Sequence, residues 1–140
     1  MILAERVLCG QMAQEPVGQD RLPSGYENHY FYKPNFASER INSSNDGQLT
    51  SQLNLAIRQS VVGGQQWKIV VDLSEIKYIG SAGFRTLLSA QREVKRGERG
   101  GEVVLADCQS RVKEALALSG FDELFPQIEL LPVGKSTLEC

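Results

Sequence analysis

The 140-residue sequence is poor in several things that would narrow its chemistry. It holds three cysteines, Cys9, Cys108 and Cys140, odd in number and far apart. That excludes a disulfide framework and a zinc site with ligand spacing, and fits a reduced, cytosolic chain. There is one histidine, His29, and no Gly-x-Ser-x-Gly elbow, so a hydrolase triad has neither its base nor its nucleophile motif. Basic residues are not in excess: 15 Lys+Arg stand against 17 Asp+Glu, a net charge of -2. Nucleic-acid binding is therefore not expected, because it needs a basic face to neutralise phosphates. Long apolar runs are absent too. Stretches such as Val103–Ala106 are far too short to span a bilayer, and Met1–Arg6 lacks the layout of a secretion signal.

What is present is an ordinary soluble composition, 41% hydrophobic and 23% charged, long enough for one domain with a real core. The composition shifts near Asn45. Residues 1–45 read as an irregular N-terminal segment, rich in Gln, Asn, Ser, Gly and Pro between Gln11 and Asn45, that can include a first strand at His29–Tyr32, stopped by Pro34. Residues 46–132 read as the domain core, and residues 133–140 as a polar tail.

Within the core, helix and strand patterns alternate. Leu49, Leu53, Ala56, Ile57 and Val61 recur at helical spacing, with Asn45 or Asp46 to cap the start and Gly63-Gly64 to end it. Lys68–Leu73 is short and β-branched, as buried strands are. Phe84, Leu87, Leu88, Gln91 and Val94 lay out an amphipathic helix capped by Ser81. Glu102–Asp107 is a second buried strand. Ser110 caps a further helix with Val112, Ala115 and Leu116 inward, and Gly120 suits the left-handed position that ends it. Gln127–Leu131 is a last strand. Alternation of this kind means crossover connections, hence a small α/β domain with a largely parallel sheet. Ile69, Val71, Val103, Leu105, Leu53, Leu87, Leu88 and Leu116 are expected to be its core.

Several chemical motifs dissolve on inspection. Val133–Thr137 ends like a phosphate-binding loop, but Glu129 stands where the first glycine is needed and no helix can follow. Cys108 sits between a strand and a helix, where a thiol can become reactive, yet no base is placed beside it. Asp72 and Asp107 end strands, and their simplest role is to cap the loops that follow. Arg92, Lys95, Arg96 and Arg99, interrupted by Glu93 and Glu98, form the solvated end of a helix. No metal or cofactor site emerges, and no enzyme is expected.

Tyr78–Phe84 is different. It places the Ser81 hydroxyl at the first turn of a helix, next to the small Ala82 and Gly83. One reading is a helix cap. The other is a phosphoacceptor, since a phosphate there meets free backbone N–H groups and the positive end of the helix dipole.

Three segments carry a resemblance. Ile69–Leu73 ends in Asp-Leu, Ile79-Gly80-Ser81-Ala82-Gly83-Phe84 resembles a signature loop of the form Asp-Ser-x-Gly-Leu, and Leu118–Phe125 resembles a Ser-Gly-Leu segment after the third helix. Together, residues 46–131 resemble the STAS domain, the family of bacterial anti-sigma factor antagonists. The resemblance implies a STAS-like small mixed, largely parallel sheet with helices packed on it. It implies a cytoplasmic, non-enzymatic regulator that binds an anti-sigma factor which is also a serine kinase, with Ser81 as phosphoacceptor and a PP2C-type phosphatase reversing the reaction. The partner surface then falls on Gly80, Ser81, Ala82, Gly83, Phe84 and Arg85. Two departures stand out: Gly80 replaces the acidic residue before the serine, and Phe36–Ser44, where the first strand belongs, is polar. The alternative is a STAS scaffold or sensor subunit that is not phosphorylated.

Overall fold

The computed structural model describes residues 18–132. Cys9, Cys140 and the glycine-lysine-serine stretch of the tail lie outside the described residues.

Four strands form the main sheet: β1 (Tyr30–Tyr32), β3 (Lys68–Asp72), β5 (Glu102–Ala106) and β6 (Gln127–Ile128), in the order β1-β3-β5-β6. All their pairings are parallel, with Tyr30 opposite Ile69 and Ile69 opposite Val103. A second, two-stranded parallel ribbon joins β2 (Arg40–Ile41) to β4 (Tyr78–Ile79). Helices α1 (Asp46–Val62), α2 (Ser81–Lys95) and α3 (Ser110–Ser119) make the crossovers. Parallel neighbours require such crossovers, so the expected strand–helix alternation and the parallel sheet have one cause.

The strands alternate their side chains between two cores. Ile69, Val71, Val103 and Leu105 face the helices and meet Leu49, Leu53, Ile57, Leu87, Val94 and Leu116. Val70, Val104 and Ala106 face the other way and are covered by Leu22 and Phe31, from the segment that precedes and forms β1. That segment is fastened across the sheet. The Gln19 side chain accepts from Phe31 N at 3.0 Å and donates to His29 O, closing the open edge of β1, and Leu131 N donates to Arg21 O at 2.8 Å.

Some expectations need correction. Ser81 and Ser110 are the first residues of their helices, not the caps; Gly80 and Gln109 hold the cap positions, without side-chain cap bonds. Asn45 does hold the cap position of α1, but its side chain is turned away from the helix, accepting from Asn42 N and donating to Arg40 O. Val61 is exposed, and Ser60 is buried in its register, donating to Ile57 O and accepting from Trp67 N. Leu88 lies half-buried at the margin rather than in the core, because the α2 stripe runs through Leu87, Ala90, Gln91 and Val94. The last strand stops at Ile128, since Leu130 N turns to the Asp107 carboxylate. Strand β2 was hidden in the polar stretch 36–44, where Ile41 is its one buried apolar residue. The Gly120 expectation holds: its φ is 80°.

Candidate functional site

Ser81 is set by two short strands and a glycine. Ile79 pairs with Ile41, and Gly80 N donates to Ile41 O at 2.8 Å, which fixes the backbone just before the helix. Gly80 is extended (φ -86°, ψ 179°), and its carbonyl accepts the first helical bond, from Phe84 N at 3.1 Å. Ser81 is therefore the first residue inside α2, exposed, and its hydroxyl makes no hydrogen bond among the described residues. The first turn carries no acidic side chain, so the positive end of the helix dipole is not neutralised locally.

Glycine at 83 has a steric reason. A Cβ there would lie 2.7 Å from Ile41 Cγ2 and 2.8 Å from Ile79 Cγ2. Helix α2 thus starts directly against the β2–β4 ribbon, and the ribbon holds the serine. Position 80 is different: a Cβ would meet nothing nearer than 3.6 Å, so a side chain fits. The missing acidic residue is not a matter of space.

The six expected partner residues separate by burial. Ser81 and Arg85 are exposed and Gly80 is half-buried, whereas Gly83 and Phe84 face the interior. Phe84 packs edge-on against Phe121, ring centroids 5.6 Å apart, which ties the loop to the turn after α3. Ala82 is buried and lies in the floor of a groove between α1 and α2. So Gly83 and Phe84 shape the loop, while Ser81 and Arg85 present side chains outward.

That groove, of about 670 Å³, was not read from the sequence. Thr50 and Thr86 meet across it at 3.5 Å, so α1 and α2 run side by side from their N-termini. Leu53, Ile57, Ala82 and Ala90 give it an apolar floor; Arg85 lines it near Ser81, and Arg58 and Trp67 line its other end. Arg40 stacks over the Tyr78 ring at 4.7 Å, another contact that leaves no signal in the sequence.

The remaining candidates have structural roles. Asp72 Oδ1 accepts from Ser74 N at 2.9 Å and so caps the loop that follows it, whereas Asp107 Oδ1 accepts from the distant Leu130 N at 3.0 Å and holds the segment after β6 instead. Arg21 lies between the two carboxylates, 4.0 and 3.8 Å from them. His29 is buried at the start of β1 with Nε2 2.7 Å from Glu102, at the end of the sheet away from α2's start. Burial pushes the Cys108 thiol up to about 11, which leaves it protonated and unreactive at neutral pH. Glu93 accepts from Arg99 at 2.7 Å and pairs with Arg96, and these contacts lower its pKa. No group of three or more potential metal ligands occurs among the described residues, and no helix there is long and apolar enough to cross a membrane.

Comparison with known proteins meets this geometry. A protein of Bordetella bronchiseptica, provisionally named the anti-sigma factor antagonist BtrV, is 31% identical over 86 residues, 61% of this chain and 68% of that protein. A crystal structure from Thermotoga maritima, also provisionally assigned as an anti-sigma factor antagonist, matches with a TM-score of 0.53 and 17% identity. It covers 66% of this chain and 75% of the other, and at that identity it bears on the fold alone. The family model of the STAS domain matches residues 37–134, which takes in the β2–β4 ribbon, the Ser81 loop and all three helices. The chain belongs to the STAS domain family.

Proposed function

We propose that this protein is an anti-sigma factor antagonist in a partner-switching system. It binds an anti-sigma factor that is also a serine kinase, and phosphorylation of Ser81 releases it. A PP2C-type phosphatase restores the binding form. The protein works in the cytoplasm, by binding rather than by catalysis, and the switch resides in the core of residues 46–132.

The observation that carries this reading is the state of Ser81: exposed, at the first position of α2, with a hydroxyl that no intramolecular bond occupies. A capping serine would have to give up its cap to accept a phosphate. This one does not. The added charge, about -1.5 to -2 at neutral pH, falls at a helix start with no acidic residue, where the dipole favours it. The fold should keep its stability while the docking surface changes sign. The name of the Bordetella relative points to an anti-sigma factor as the partner.

A second reading, a scaffold that binds partners without being phosphorylated, is favoured by Gly80, which leaves the serine without its acidic neighbour. One experiment separates the two. The protein and its Ser81→Ala variant are incubated with the anti-sigma factor kinase of the same host and radiolabelled ATP. Rapid labelling of the wild type and none of the variant supports the switch. Equal labelling of both, or labelling of neither in a complex that still forms, rejects it.

A further inference from the structure

Ser81 and Arg85 are four residues apart on α2, both exposed, and hence neighbours on one helix face. Arg85 also lines the α1–α2 groove. We propose that the groove takes an acidic segment of the partner between Arg85 and Arg58, and that phosphoserine at 81 releases this segment by drawing Arg85 to itself. The proposal rests on the Ser81 switch and names the groove through which it acts.

The charge pattern carries the first half. Neither Arg58 nor Arg85 has an ion-pair or hydrogen-bond partner among the described residues, though both border an apolar floor. Glu93, the carboxylate at the far end, is already held by Arg96 and Arg99. Asp46 is the other carboxylate of the lining, and it lies at the start of α1, where the helix dipole stabilises it. The groove therefore offers two unpaired guanidinium groups, one near Ser81 and one in the last turns of α1, on a protein whose net charge is -2. Guanidinium forks recognise carboxylates, and the Trp67 ring at the Arg58 end is already stacked by Arg99 at 4.2 Å, so the two arginines are the groups left to meet a ligand.

Helix geometry carries the second half. The kinase transfers the γ-phosphoryl group of ATP to Ser81 Oγ: the Oγ–P bond forms, the bond to the ADP oxygen breaks, and the hydroxyl proton passes to the kinase's base. The dianion then stands one helical turn from Arg85, at the i,i+4 spacing at which opposite charges pair. Arg85 is the cation of α2 at that spacing, and it has no ion-pair partner among the described residues. Once paired with phosphate, it no longer serves the acidic segment, so the partner loses a contact inside the groove as well as meeting new charge at its rim.

The test compares wild type, Arg85→Gln, Arg85→Lys and Arg58→Glu, each unphosphorylated and with phosphoserine at 81, titrated with the host's anti-sigma factor kinase. Arg58→Glu, far from Ser81, should weaken binding of the unphosphorylated protein about tenfold, and less at high salt. Phosphorylation should weaken Arg85→Gln several-fold less than wild type, and Arg85→Lys should restore most of the difference. A second readout needs no partner. In a phosphorus NMR titration, the second pKa of the phosphate should lie roughly 0.2–0.4 lower in the wild type than in the Arg85→Gln variant. Equal phosphate pKa values, with an equal phosphorylation penalty in both proteins and full binding by Arg58→Glu, overturn the proposal while leaving the Ser81 switch intact. A wild type that binds equally well with and without the phosphate overturns both.

Discussion

Gly83→Ala sets two effects of known size against each other at the Ser81 loop. Alanine in place of glycine inside a helix contributes about 1 kcal/mol of stability from propensity alone. Here the new methyl would sit 2.7 Å from Ile41 Cγ2 and 2.8 Å from Ile79 Cγ2, distances at which something must move. Neither neighbour yields easily. Ile41 and Ile79 are buried, their β-branched side chains are held to few rotamers, and their backbones are paired with each other in the β2–β4 ribbon. Overpacking of this kind costs roughly 1–3 kcal/mol. Set against the propensity gain, the clash leaves a net loss of about 0–2 kcal/mol, or up to ~8 °C in melting temperature for a domain of this size. Because the strain falls between α2's first turn and the ribbon, binding of the proposed kinase partner should fall as well, even where the protein stays folded. Thermal unfolding with partner titration measures both. Changing Ile41 to Leu, which removes the offending γ2 methyl, should recover part of the loss in the double variant. A Gly83→Ala protein that melts higher than wild type and binds normally would refute this account of the loop.

Three further outcomes follow from single contacts. Gln91 is buried and holds Val103 N, Val103 O and Leu124 O with its amide, so Gln91→Leu should destabilise by roughly 2–4 kcal/mol in urea titration despite its similar volume. The Cys108 thiol, pushed by burial from its ordinary 9.0 to about 11, favours the folded state while protonated. Stability from this source is full below about pH 9 and lost as pH rises toward about 11; the wild type should therefore lose stability over that window relative to Cys108→Ala, as urea midpoints at pH 8 and pH 10.5 would measure. Gly80→Asp meets no clash and supplies a cap acceptor at the start of α2, so it should hold or slightly raise the melting temperature and should speed labelling of Ser81 by the kinase.

How far the sequence speaks depends on which physical signal each element leaves. Strands β3 and β5 are buried on both faces, so Ile69–Val71 and Val103–Ala106 are apolar without interruption, and their parallel pairing followed from the helix between them. Helix α2 was legible because its buried stripe repeats at helical spacing, and Gly120 because a left-handed helix end favours glycine. Strand β2 left almost no trace: two residues long, only Ile41 buried, its pairing set by Ile79 nearly forty positions away. The covering of the sheet's second face was equally silent. Leu22 and Phe31 are ordinary apolar residues until Val70, Val104 and Ala106 are seen to need a cover.

The same reasoning explains why the Ser81 loop was legible in the sequence while the capping role of its serine was misread. A serine before small residues at a helix start is a local pattern, and local patterns survive in sequence. Whether that serine caps the helix depends on where the first helical bond forms. Here that is the Gly80 carbonyl, fixed by Gly80 N on Ile41 O, a contact between distant segments. One residue of displacement turns a cap into a free hydroxyl. The groove between α1 and α2 is further removed still, because Arg58 and Arg85 come to line one surface only when Thr50 and Thr86 bring the two helices side by side. A sequence can name a candidate residue for modification more readily than the surface that would respond to it, because the first is a property of one turn and the second of a packing.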